Sequence, residues 1–185
     1  MVKDLNWDSW IKHPYATDEQ SLKLGKVISD FFKKLKINTR KMTMLEIGAG
    51  HGIFTLILHK LFKSVVATEP NLKLFNALKK IKMNNVKVMQ ASAEELNIQQ
   101  KVDMIVCMKS FEFIKNKKQI LLKFNTLLKS KGYLLICEPI DFLHYNSPNN
   151  KLMFDTSQAI TKSKKFKIIH QGTFSNMLCY LLRKK

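Results

Sequence analysis

The stretch MLEIGAGHGIFTLIL, residues 44–58, sets three alternating glycines, Gly48, Gly50 and Gly52, between an apolar strand-like run and an apolar helix-like run. Glycine inside a regular element costs stability, so three of them at one junction require a backbone that turns tightly and lets another group come close. A strand that ends in such a turn and feeds a helix opens a βαβ unit, which commits a chain to a largely parallel sheet covered by helices.

The rest of the sequence continues that alternation. Short apolar runs at 42–47, 64–68, 86–90, 102–108 and 133–137 have the composition of strands buried on both faces. Between them, 53–62, 72–83 and 117–128 have helical periodicity and crossover length. Ahead of them lies an amphipathic segment, TDEQSLKLGKVISDFFKKLK, with Thr17 or Asp18 as N-cap and Leu24, Val27, Ile28, Phe31 and Phe32 on one face. Near the end, FKIIHQGTF and NMLCYLLRK flank a short polar turn and predict a closing hairpin. The predicted fold class is α/β: a doubly wound, mostly parallel seven-stranded sheet, Rossmann-like, with one antiparallel strand near the carboxyl terminus. Residues 1–40 read as an amino-terminal helical cover, 41–140 as a ligand-binding core, and 141–185 as an acceptor-side loop and closing hairpin, all within a single domain spanning 1–185.

Composition narrows the function classes. The amino terminus has no basic start leading into an apolar core, and no later run reaches the length of a membrane span, which predicts a soluble, cytoplasmic protein. Cys107, Cys137 and Cys179 are odd in number and embedded in apolar strands, so buried free thiols are expected. The five histidines lack any ligand spacing, and no metal is expected. The net charge of +18 raises the question of a nucleic-acid partner. Only Arg40 and Arg183 carry the bidentate guanidinium fork, however, and the lysines are scattered in small groups along the chain, as on solvated faces.

In open α/β sheets ligands bind beyond the carboxyl ends of the strands, where the glycine turn lies. A dinucleotide fingerprint requires a third small residue three positions after the second glycine, and here that position is Ile53. The pattern is instead an acidic residue within the strand followed by G-x-G-x-G. In this the chain resembles the class I S-adenosylmethionine-dependent methyltransferases, and further segments follow in the family's order. VVATEP sets Glu69 at the end of the second strand, VMQASAEEL matches the adenine-binding segment, VDMIVCMKSFEFI the fourth strand and its exit, and LLKSKGYLLICEP the fifth. A Pro14-Tyr15 pair adds a likeness to the small-molecule branch typified by ubiquinone/menaquinone-biosynthesis and trans-aconitate methyltransferases.

The resemblance implies S-adenosyl-L-methionine as cofactor. It implies contacts from Glu46, Gly48, Ala49, Gly50 and Gly52 in the first motif, and from Glu69, Pro70, Ser92, Ala93, Glu94 and Met108 beyond it. Glu69 would accept hydrogen bonds from the ribose hydroxyls, and Glu112 matches an acidic position seen after the fourth strand. Ser92 stands where many relatives carry Asp, Phe113 replaces a common His, and the Asn/Asp-Pro-Pro-Tyr signature of adenine-N6 enzymes is absent. The expected acceptor is therefore a small molecule. Its wall is expected from WDSWIKHPYAT and EPIDFLHYNSPNN, with Tyr15, His144 and Tyr145 as candidates beside Trp10, His13 and Phe142. No catalytic base is assigned, because one is required only when the acceptor must lose a proton. The competing functions are an RNA methyltransferase, which would use the lysines as a phosphate footprint, and a cofactor-binding interaction protein without activity.

Overall fold

The computed structural model describes residues 19–140, 148–174 and 177–185. Seven strands form one sheet in the order β3-β2-β1-β4-β5-β7-β6. The strands are β1 (Thr43–Ile47), β2 (Ser64–Thr68), β3 (Val86–Met89), β4 (Val102–Met108), β5 (Leu128–Pro139), β6 (Phe166–Phe174) and β7 (Met177–Lys184). β1 through β5 are mutually parallel, β7 runs antiparallel to both β5 and β6, and the order reverses between β1 and β4. The sheet is the one predicted, with β7 as its reversed strand.

The helices are α1 (Glu19–Lys34), α2 (Ile53–Leu58), α3 (Leu72–Lys80), α4 (Lys117–Leu127) and α5 (Pro148–Thr161). Strand side chains alternate between two cores, as a sheet covered on both faces requires. On one face Met44, Met104, Val106 and Leu135 pack with Ile28 and Phe32 of α1, Leu58 of α2 and Leu78 of α3. On the other, Leu45, Ile105, Leu134 and Ile136 pack with Ile120 and Phe124 of α4 and Ile160 of α5.

Three local departures from the sequence expectation have physical causes. α2 stops at Leu58 and not at 62 because Asn85 reaches in from another loop, its Nδ2 donating to the carbonyls of His59 and Phe62 at 2.8 and 3.1 Å. These bonds satisfy acceptors that a longer helix would have had to pair. The region 141–185 holds a helix, α5, where only a loop and hairpin were expected. The expectation of three free thiols is corrected: Cys137 and Cys179 stand opposite each other in the β5–β7 register, with Cα atoms 4.1 Å apart, and form a disulfide, leaving Cys107 buried and free. Directly opposed residues on antiparallel strands are brought within bridging range by register alone.

Candidate cofactor and acceptor site

β1 delivers the chain into the glycine turn at the switch point of the sheet. Gly48 has φ 68°, and a Cβ there would stand 2.7 Å from Ser110 Cβ. Ser110 is fixed against it by donating its hydroxyl to the Ile47 carbonyl at 2.7 Å. Gly52, at φ 99°, is the N-cap of α2, and a Cβ there would meet Leu78 Cδ1 at 2.7 Å. These two glycines allow the β4 exit and α3 to close on the turn. Gly50 differs. At φ 59° it also needs glycine's backbone freedom, but nothing lies within 4 Å of where its Cβ would be, so its face is open.

That open face borders a cavity of about 280 Å³. Nine of the eleven residues expected to hold a cofactor line it: Gly48, Ala49, Gly50, Glu69, Pro70, Ser92, Ala93, Glu94 and Met108. The other two, Glu46 and Gly52, sit behind the wall. Tyr15, His144 and Tyr145, with Trp10, His13 and Phe142, lie outside the described residues. Glu112 is buried away from the cavity, beside Lys117, whose Nζ donates to the Glu112 and Ile114 carbonyls at 2.8 and 2.9 Å.

Glu69 organises the turn. Its Oε2 accepts from the Gly50 amide at 2.8 Å and its Oε1 from the Asn71 amide at 2.9 Å, so one carboxylate joins the end of β2 to the glycine turn and to the start of α3. Burial pushes its pKa up, and those two amide bonds oppose the shift. Each carboxylate oxygen keeps a second lone pair, so Glu69 can still accept from a ligand.

Glu46 plays a different part. It is 1% exposed, and its Oε2 accepts the Thr55 hydroxyl at 2.7 Å, tying β1 to α2. Burial raises its pKa from 4.5 to about 7, with the neighbouring Glu69 charge adding to the shift. The folded chain therefore holds this proton where the unfolded chain has released it. The stabilising contribution is complete below about pH 4.5 and is lost as pH rises to about 7. Glu46→Gln is expected to remove about 1.5 kcal/mol of the decline in unfolding free energy between about pH 5.5 and 7. Urea denaturation across that window checks it, and an unchanged slope would refute the assignment.

Sequence reasoning passed over His51, which sits between two of the motif glycines. It lines the cavity, its Nε2 is buried without a hydrogen-bond partner, and burial pulls its pKa below 6.5, so it faces the cavity as a neutral imidazole. Its position inside the motif was the available signal. Phe54, Leu74, Phe113 and Ile114 complete an apolar wall, with Phe113 40% exposed. Lys109, at φ 53°, turns the chain sharply off β4 and so carries Ser110 beneath Gly48. Among the described residues no group of His, Cys, Asp or Glu is arranged to hold a metal ion, and no helix is long and apolar enough to cross a membrane.

Comparison with known proteins bears on this geometry. No curated protein matches the sequence. Among solved structures, a SAM-dependent methyltransferase from Aquifex aeolicus superposes with a TM-score of 0.67 at 16% identity, over 84% of this chain and 88% of the other. The plantazolicin methyltransferase BpumL in complex with SAH gives 0.66 at 14%, over 97% and 93%. The Methanococcus jannaschii fibrillarin pre-rRNA processing protein gives 0.62 at 19%, over 79% and 67%. At these identities the likeness is one of fold. The profile described as "Methyltransferase domain" matches residues 16–174, most of the sequence, and this chain therefore belongs to the methyltransferase-domain family and is an S-adenosylmethionine-dependent methyltransferase.

Proposed function

We propose that the methyl acceptor is a small organic molecule, taken into the cavity beside the cofactor. The observation that carries this reading is the apolar wall of Phe54, Met108, Phe113 and Ile114, which continues from the glycine turn to a half-exposed aromatic side chain. Such a wall suits an uncharged organic body better than a polyanion.

Within this reading the Gly48–Gly50 backbone and Glu69 hold the amino-acid and ribose parts of the cofactor, while Ser92, Ala93 and Glu94 flank its adenine. The residues fit such a ligand. Gly50 leaves room for close approach, and Glu69 keeps free lone pairs beside it. When bound, S-adenosylmethionine supplies an electrophilic methyl group on a sulfonium. The protein aligns the acceptor in line with that bond and excludes water from it, and the apolar wall serves both tasks. An acceptor that must release a proton would need a base, and the His51 imidazole, whose Nε2 is without a partner, lies on the cavity wall to serve as one.

Methyl transfer from labelled cofactor, assayed against fractionated metabolite, peptide and RNA pools, tests the reading. Label is expected in the metabolite fraction. Label confined to RNA or to peptide would overturn it.

A further inference from the structure

The lysines that the sequence scatters are gathered by the topology. Parallel strands all begin at one end of the sheet, and the helices that connect them return to that same end. Lys41 precedes β1, Lys63 precedes β2, Lys101 precedes β4, Lys131 lies in the irregular opening of β5, Lys165 precedes β6, and Lys185 follows the reversed β7. All six are exposed. The last turns of α1 and α3 add Lys33, Lys34, Lys79 and Lys80. Carboxylates at this end are few: Asp103, paired with Lys129 Nζ at 3.0 and 2.9 Å, and Asp30, paired with Lys33 Nζ at 3.1 Å. At the cavity end the buried Glu46, Glu69, Glu112 and Glu138, near the carboxyl ends of β1, β2, β4 and β5, are interleaved with Lys109, Lys115, Lys117 and Lys118. Among the described residues, lysines outnumber carboxylates far more at the strand beginnings than at the cavity end.

We propose that the basic end docks the phosphate backbone of a duplex nucleic acid, holding the enzyme on a polyanion while the cavity at the opposite end keeps its own acceptor. Seven strands at ~4.8 Å spacing give an edge ~29 Å wide, matching the rise of about eight or nine base pairs. Lysines meet phosphates as point charges, and phosphate contacts carry no sequence information, so the docking proposed is independent of sequence. Single strands call for exposed aromatic stacking platforms. Phe113 is the only aromatic among the exposed large hydrophobics of the described residues, and it lies on the cavity. A membrane surface calls for a broad apolar face beside the charge, and Ile168 and Ile169 on the edge strand offer only a narrow one. The seven residues of β4 separate the two ends by ~23 Å, so a duplex on the basic end is not presented to the cavity. The inference is therefore independent of the acceptor's identity.

The test is fluorescence anisotropy of a labelled DNA duplex of about 20 base pairs and arbitrary sequence, titrated with the full chain between about 50 and 200 mM salt. Five or six phosphate contacts predict a slope of log affinity against log salt of about −4.5 to −5.4. The double variant Lys101→Glu/Lys165→Glu is expected to flatten that slope by about 2 and to weaken binding about tenfold near 100 mM salt. The double variant Lys115→Glu/Lys118→Glu makes the same net-charge change at the cavity end, and is expected to stay within about twofold of the parent. The thermal shift given by S-adenosylhomocysteine should be equal in all three proteins, which separates loss of docking from loss of fold or cofactor site. Absence of duplex binding at low salt, equal losses in the two variants, or binding to phosphatidylserine-containing vesicles but not to the duplex would each overturn the proposal.

Discussion

S-Adenosylhomocysteine at ~100 times its Kd is expected to stabilise the folded chain by about 2.7 kcal/mol and raise its melting temperature by roughly 5 to 10 °C, while NAD gives no shift. The discrimination follows from the turn. In a dinucleotide turn the second glycine lets the backbone approach the pyrophosphate at the helix N-terminus, and the third small residue lets the helix pack closely on the strand. In this chain that place is taken by Ile53, the first residue of α2, which lines the cavity, so the dinucleotide pattern is broken. S-Adenosylhomocysteine carries no phosphate. Its amino-acid and ribose parts would meet the open backbone at Gly50 and the acceptor oxygens of Glu69, both of which line the cavity. A thermal melt with each ligand decides the matter. No shift with S-adenosylhomocysteine, or a larger one with NAD, would overturn the placement of the cofactor.

What could be read from the sequence was whatever depended on local periodicity and spacing. The G-x-G-x-G turn, its strand and its helix carry their own signals in composition, so Gly48 and Gly52 were legible as close-approach glycines before any partner was known. Those partners, Ser110 and Leu78, come from distant segments and required the fold. α5 was missed because PNNKLMFDTSQAIT alternates apolar and polar residues too weakly to stand out, although Pro148 at its start is a helix-initiating residue. The Cys137–Cys179 pairing depends on register between strands separated by 42 residues, which spacing alone does not encode. The gathering of lysines at one end of the sheet was not legible for a related reason. Scattering along a chain says nothing about scattering in space when every crossover returns to the same end of a sheet. Glu46 and Glu69 are both acidic residues in or after a strand, yet one is a buried proton holder behind the wall and the other faces the cavity, because Glu46 lies within β1 under α2 whereas Glu69 lies just past the end of β2.

Glu69→Ala is expected to weaken S-adenosylhomocysteine binding by roughly ten- to a hundredfold, the loss of charged hydrogen bonds worth about 1.5 to 3 kcal/mol. Two effects contribute. The carboxylate oxygens that would meet the ribose hydroxyls disappear, and the amides of Gly50 and Asn71 lose the acceptors that now hold them at 2.8 and 2.9 Å. The second effect loosens the glycine turn itself, so the variant should also melt below the parent in the absence of ligand. Glu69→Gln separates the two. Its side-chain carbonyl can keep one of the amide bonds while its NH₂ group donates where the carboxylate accepted, so it should recover part of the melting temperature and little of the affinity. Burial holds the Glu69 carboxyl above the usual carboxylate range, and protonation removes one acceptor oxygen. Affinity in the parent should therefore fall as pH drops through that raised pKa, and this pH dependence should be absent in Glu69→Gln. Isothermal calorimetry across pH, with melting curves of the free proteins, reads all of these quantities. An Ala variant that binds as tightly as the parent would mean that the ribose is held by other groups of the cavity.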